Sequence, residues 1–199
     1  MTRRDFLSHS FTCGAGMLVA GCSEAAEPAP AAATPPGARK TLVVYYSWSG
    51  NTRALAKQLA VQLGCESVEL SPEKPYPAEY TACTEYAKNE IRAGVRPAMK
   101  PFPDLSSYHT LLVGSPNWWS TVAPPVSAFL ESPALTGKTV SLFITHGGGG
   151  MSRCETDARK QCKGIFKEPA LAVSGVRAAR YAKDEARKWI SALRETNVL

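Results

Sequence analysis

Thr41-Leu42-Val43-Val44-Tyr45-Tyr46-Ser47-Trp48-Ser49-Gly50-Asn51-Thr52 is the stretch that decides the architecture. Leu42 to Tyr46 is an unbroken apolar run, the kind that a strand covered on both faces requires. From Thr52 to Leu63 the apolar residues Leu55, Leu59 and Leu63 share one face of a helix. The turn between them is a candidate anion cradle. Ser47, Ser49 and Thr52 offer hydroxyl donors, Gly50 permits positive φ, and Asn51 tolerates a tight turn. Backbone amides converging at a helix N-terminus favour negative charge there, so a phosphate group needs no cation. The loop lacks both the Gly-Lys-Ser/Thr ending of a nucleotide-triphosphate loop and the G-x-G-x-x-G dinucleotide pattern.

Outward from this unit, strand and helix keep alternating. Cys65 to Leu70 reads as a second strand, and a proline-rich loop leads to a helix carrying Cys83, Ala87 and Ile91. Leu111 to Gly114 is a third strand, followed by a loop and a helix around Val126, Phe129 and Leu130. Val140 to Ile144 is a fourth, followed by a glycine loop and a helix from Ser152 to Cys162. Ala170 to Val173 is a fifth, before a closing helix with Ala182, Ala186, Trp189, Ile190 and Leu193. Strands separated by helices predict an α/β domain with a five-stranded parallel sheet and helices on both faces. Ligands bind beyond the carboxyl ends of such strands. The loops to watch are therefore Ser47–Thr52, Ser115–Ala123 and Thr145–Met151.

Composition agrees with one folded domain plus an addition. The 199 residues are 44% hydrophobic and 20% charged, too apolar for a disordered chain. No apolar run reaches the roughly 20 residues of a membrane-spanning helix, which excludes a polytopic membrane protein. The net charge of +6 is scattered, not gathered into an arm, so no nucleic-acid partner is expected. No G-x-S-x-G elbow surrounds Ser49 or Ser115. His109 reads as structural, and no close pair of Cys or His suits a metal. Cys154 and Cys162 lie eight residues apart, roughly 12 Å along a helix, too far for a disulfide. Cys83 and Cys154 fall on apolar stripes as free thiols, while a cross-pair of Cys83 with another helix stays open. No catalytic acid, base or nucleophile is expected.

The N-terminus reads as an address. Residues 1–22 run from a basic start through a short apolar middle to Ala20-Gly21-Cys22, the pattern of an export signal. Arg3-Arg4 before Asp5-Phe6-Leu7 resembles a twin-arginine signal. Leu18-Val19-Ala20-Gly21-Cys22 resembles a bacterial lipobox, implying cleavage before Cys22 and acylation there. More than one acyl chain on Cys22 meets the requirement for stable anchoring. Ser23 to Ala38 holds seven alanines and four prolines without a large apolar side chain, so it reads as a semi-rigid spacer. The expected organisation is a signal over 1–21, an acylated cysteine and linker over 22–40, and a folded domain over 41–199. That places the protein outside the cytoplasm, periplasmic or on another extracytoplasmic face, tethered to a membrane through Cys22.

Tyr45 to Arg53, together with Gly114-Ser115-Pro116-Asn117-Trp118-Trp119 and Thr145-His146-Gly147-Gly148-Gly149-Gly150, resembles the flavodoxin family, over Thr41 to Leu193. The later two segments resemble a bacterial flavodoxin-like subgroup more than the short electron carriers. The resemblance implies a flavodoxin-like fold with strand order 2-1-3-4-5 and FMN as cofactor. It puts the FMN phosphate on Ser47, Trp48, Ser49, Gly50, Asn51 and Thr52. It puts the ring edge beside Pro116 and Asn117, a ring face on Trp118 or Trp119, and the N1/O2 side at Thr145, His146, Gly147 and Gly148. Either tryptophan alone suits core packing equally well, and His146 suits a solvated position equally well. An electron-transfer role follows, with a protein or quinone partner. An FMN-dependent NAD(P)H:quinone oxidoreductase and a non-redox binding module stand as alternatives. Family carriers are typically acidic. A basic domain predicts a less negative potential for the reduced couple and an acidic or membrane-surface partner.

Overall fold

The computed structural model describes residues 40–199; the expected signal, Cys22 and all but the last residue of the expected linker lie outside them. The elements are β1 (Thr41–Tyr45), α1 (Asn51–Leu63), β2 (Glu66–Glu69), α2 (Tyr80–Ala93), β3 (Thr110–Trp118) and β4 (Thr121–Val122). There follow α3 (Pro124–Leu130), a 3-10 turn (Pro133–Leu135), β5 (Thr139–His146), α4 (Cys154–Gln161), β6 (Ile165–Phe166), β7 (Leu171–Ser174) and α5 (Gly175–Glu195). No described helix is long and apolar enough to cross a membrane.

The sheet runs β2-β1-β3-β5 in parallel, with β6 and β7 both parallel to β5. This is the expected 2-1-3-4-5 order with the fifth strand in two pieces. Pro169 lies between the pieces and has no N–H for a ladder. Alternate side chains feed two cores. Leu42, Val44, Leu111, Val113, Leu142 and Ile144 pack with the buried residues of α2, α3 and α4. Val43, Tyr45, Leu112 and Phe143 pack with those of α1 and α5. Strands buried on both faces are why their sequences read as continuous apolar runs rather than alternating ones.

The stretch from Ser115 to Ala123 is not simply a loop. β3 continues to Trp118 and folds back through Trp119 and Ser120 into β4, pairing Asn117 with Val122 and Trp118 with Thr121. Both turn residues have positive φ, 52° and 70°. This is the backbone of a two-residue hairpin turn that ordinarily carries Asn-Gly. A side chain in that region is strained by roughly 1–2 kcal/mol. Ser120→Gly is therefore expected to stabilise the protein by about 0.5–1 kcal/mol, seen as a higher urea midpoint at unchanged slope.

Candidate functional site

β1, β3 and β5 end at one edge of the sheet, and a cavity of about 570 Å³ opens there. The first loop contributes Trp48, Ser49 and Asn51, the hairpin contributes Pro116 to Trp119, and β5 with its glycine loop contributes Thr145, His146 and Gly147. Two walls were not legible in the sequence. The face of α2 adds Tyr80, Cys83, Thr84 and Ala87, and α5 adds Gly175. The remaining anticipated residues sit outside the lining: Ser47 and Thr52 are buried, Gly50 is the cap of α1, and Gly148 is exposed.

The start of α1 is left open. Gly50 takes its N-cap position at φ 90°, and among the described residues no side chain caps the helix. Its first-turn amides therefore look outward for an acceptor. At α2, by contrast, the Glu79 carboxylate accepts from the amides of Thr81 and Ala82. The Ser47 hydroxyl accepts from the Gly50 amide at 3.2 Å, and the Asn51 side-chain amide donates to the Ser49 hydroxyl at 3.2 Å. Arg53 turns away to a paired contact with Glu69 at 2.7 and 2.6 Å. Among the described residues no Lys or Arg lines the cavity, so the polar groups at this turn are amides and hydroxyls.

Each loop is tied to its neighbours. Thr52, 1% exposed, shares a hydrogen bond of 2.7 Å with Thr145, joining the first loop to the end of β5. One of those two hydroxyls donates to the other, so the second keeps a proton to offer elsewhere. Asn117 donates to the Gly150 carbonyl at 2.8 Å, joining the hairpin to the glycine loop. The Arg153 amide donates to the Ser120 carbonyl at 3.0 Å. Gly175 abuts Asn51: a Cβ there would stand 2.7 Å from the Asn51 amide nitrogen. Preorganisation of this kind spares a ligand the cost of ordering the loops.

The aromatic residues divide by role. Trp118 packs edge-on to Tyr46 and Tyr76, at 5.5 and 4.9 Å between ring centres, and belongs to the core wall. Trp119, 46% exposed, reaches across to α2, donating to the Thr84 carbonyl at 3.0 Å beneath the Lys88 ammonium. On the first loop Trp48 donates to the Pro77 carbonyl at 3.0 Å, with Tyr80 close by. The walls are thus largely indole, phenol and aliphatic carbon, with hydrogen-bonding groups on the first loop, the hairpin and the end of β5. A flat aromatic ligand carrying an anionic tail fits that distribution.

Electrostatically the walls stay neutral. Burial, then the Glu90 carboxylate, pushes the Tyr76 phenol well above its ordinary range, and burial does the same to Tyr46. Burial, followed by Glu79 and Glu90, pushes the Cys83 thiol up to about 11. Burial raises Cys154 to about 12. Cys65, Cys83, Cys154 and Cys162 are all free, so the cross-pair with Cys83 does not form. Among the described residues no cluster of His, Cys, Asp or Glu suits a metal ion.

Comparison with known proteins gives the same direction. The family model described as Flavodoxin matches residues 40–193. A protein assigned as a flavoprotein from Bacteroides uniformis is 27% identical, with a TM-score of 0.67 over 77% of this chain and 98% of its own. Its counterpart from Bacteroides eggerthii is 25% identical, with a TM-score of 0.66 over 78% and 98%. A flavoprotein of Lactobacillus acidophilus, solved in complex with FMN, shares the fold at 24% identity and a TM-score of 0.59, over 73% and 100%. With the family's model running from the start of β1 nearly to the end of α5, over a parallel sheet whose first loop leaves a helix uncapped, this chain belongs to the flavodoxin family.

Proposed function

We propose that this chain binds FMN at the described cavity and works as an electron-transfer flavoprotein, exported and held to a membrane through acylated Cys22. The observation that carries the reading is the uncapped start of α1, ringed by Ser47, Ser49 and Asn51, at one end of an aromatic-walled cavity. The phosphate would lie against the amides and hydroxyls of residues 47–52, and the ring between the hairpin, α2 and the Thr145–Gly147 end of β5. FMN, when bound, supplies one- and two-electron redox chemistry. The chain's own residues have three tasks: to hold the phosphate, to fix the ring's edge with backbone groups of Asn117 and Gly147, and to exclude water with Trp118 and Trp48. Transfer of electrons between proteins asks no acid or base of the lining.

The remaining features of the proposal follow from charge and address. A twin-arginine route suits a protein that takes up its cofactor before it crosses the membrane. Cleavage before Cys22 removes Arg3, Arg4 and Asp5, so the +6 of the full chain becomes +5, which favours an acidic or membrane-surface partner; a quinone in that membrane is a natural electron acceptor. Titrating apoprotein with FMN is expected to give saturable one-to-one quenching of flavin fluorescence. A preparation that neither retains nor takes up FMN would favour a non-redox binding module instead. Steady turnover of quinone with NAD(P)H would favour the oxidoreductase over the carrier.

A further inference from the structure

His146 ends β5 where it pairs with Ser174 of β7, so its backbone is held by the sheet. It lines the cavity, and its Nδ1 is buried with no hydrogen-bond partner among the described residues. A buried polar nitrogen left without a partner costs roughly 1–3 kcal/mol, so such an atom stands out in a sheet otherwise well satisfied.

The other groups facing the cavity make the imidazole's position more pointed. From α2, Tyr80 and Cys83 face in, and the thiol is held neutral at neutral pH. Glu79 spends its carboxylate on the amides of α2, and Glu85 pairs with Lys88 at 3.2 Å. The first loop presents Ser49 and Asn51, with Arg53 engaged by Glu69. Pro116 to Trp119 on the hairpin are uncharged, and Arg153 beyond the turn lies 3.9 Å from Asp157. The first turn of α5 carries Arg177, which binds Glu185. Among the described residues no carboxylate, lysine or arginine lines the cavity, which leaves the imidazole as its basic side chain.

We propose that the His146 imidazole is the proton-accepting group of this cavity, gaining a proton when negative charge arrives against it. The preference for reduced over oxidised FMN then depends on pH through this imidazole. The proposal rests on the FMN reading and adds to it a coupling that the fold alone does not require. Its balance is simple. Dithionite supplies two electrons to the flavin in the test, solvent supplies one proton to the reduced ring and a second to the imidazole, and the only protein bond formed is N–H.

The test measures the affinities for oxidised and dithionite-reduced FMN between pH 5.5 and 8.5, in the full chain and in His146→Gln. In the unaltered protein the reduced-to-oxidised preference is expected to fall about tenfold with rising pH, and that part of the slope is expected to vanish in the variant. Nitrogen NMR of the unaltered protein, which has three histidines to assign, is expected to show His146 more cationic in the reduced complex than in the oxidised one at pH 7. This second reading stands even if the variant misfolds. Equal charge states, or the same pH profile in His146→Gln, overturn the inference while leaving FMN binding intact. No binding of FMN by the unaltered protein overturns both.

Discussion

Replacing Ser49 and Thr52 together by alanine is expected to weaken FMN binding by two orders of magnitude or more, measured by fluorescence titration. The two hydroxyls act differently, and the single variants separate them. Ser49 lines the cavity beside the uncapped α1, where a hydrogen bond to a charged group is worth about 1.5–3 kcal/mol. At about 1.4 kcal/mol per tenfold, Ser49→Ala alone should cost roughly ten- to hundredfold in affinity with little change in melting temperature. Thr52 is buried against Thr145 at 2.7 Å. Thr52→Ala strands the Thr145 hydroxyl, so its first effect is a loss of about 1–3 kcal/mol of stability. Its second is a looser join between the first loop and β5, which lowers affinity further. Thr52→Ser keeps the hydroxyl and should recover most of both. Replacing Thr52 and Thr145 together by valine should recover stability but not affinity, since neither side is then left unpaired. If the Ser49/Thr52 double variant bound FMN as tightly as the unaltered protein, the anion-cradle assignment would fall.

The second large effect is expected in the sheet itself. Gly114 of β3 stands directly opposite Phe143 of β5, and a Cβ at Gly114 would run into the Phe143 ring. The ring has little room to yield, because Trp189 of α5 packs on it at 5.7 Å and both residues are buried. Overpacking of this kind typically costs 1–3 kcal/mol, and Gly114→Val is expected at about 3 kcal/mol, a large share of a domain's total stability. Gly114→Ala should cost about 1–2 kcal/mol. The diagnostic measurement is a double-mutant cycle with Phe143→Leu. Removing the ring should make Gly114→Ala nearly harmless, a coupling of about 1–2 kcal/mol by urea denaturation. Independent, additive costs would mean that some other contact requires the glycine.

The cavity's composition explains why these two predictions are separable. Its hydrogen-bonding first loop depends on side chains at the end of β1, whereas Gly114 acts one layer below, in the packing that aims β3 at the site. Two tryptophans on consecutive residues end up with different tasks for the same reason. Trp118, still in the strand, turns its ring into the aromatic core, while Trp119, in the hairpin turn, crosses to α2.

Much of this was legible from residue patterns. The apolar run at Leu42–Tyr46, the helical stripe of Leu55, Leu59 and Leu63, and the later repeats of that alternation specify a parallel sheet covered on both faces. Ser47 to Thr52 specify a hydroxyl-rich turn opening a helix, because hydroxyls and a glycine before a helix do local chemistry that needs little from elsewhere. The hairpin was hidden: Trp119-Ser120 lacks the turn chemistry that would announce it, and the turn is held by the bond that the Trp119 indole donates to α2 and the one that Ser120 accepts from Arg153. The split of the last strand was equally hidden, since two-residue β6 is too short to show a period.

What the chain's order of residues settled by itself was local: which segments are strands and helices, and which turn before a helix gathers hydroxyls. What only tertiary structure decided was the far wall and the final pairing of groups. Cys83 and Ala87 read as core positions and are core, yet the same face of α2 also closes the cavity. Thr52 reads as a ligand hydroxyl yet bonds to Thr145, 93 residues away. Periodicity along a chain reports which side of an element is buried, but not what it is buried against, because that partner is chosen by the packing of the whole sheet and its layers.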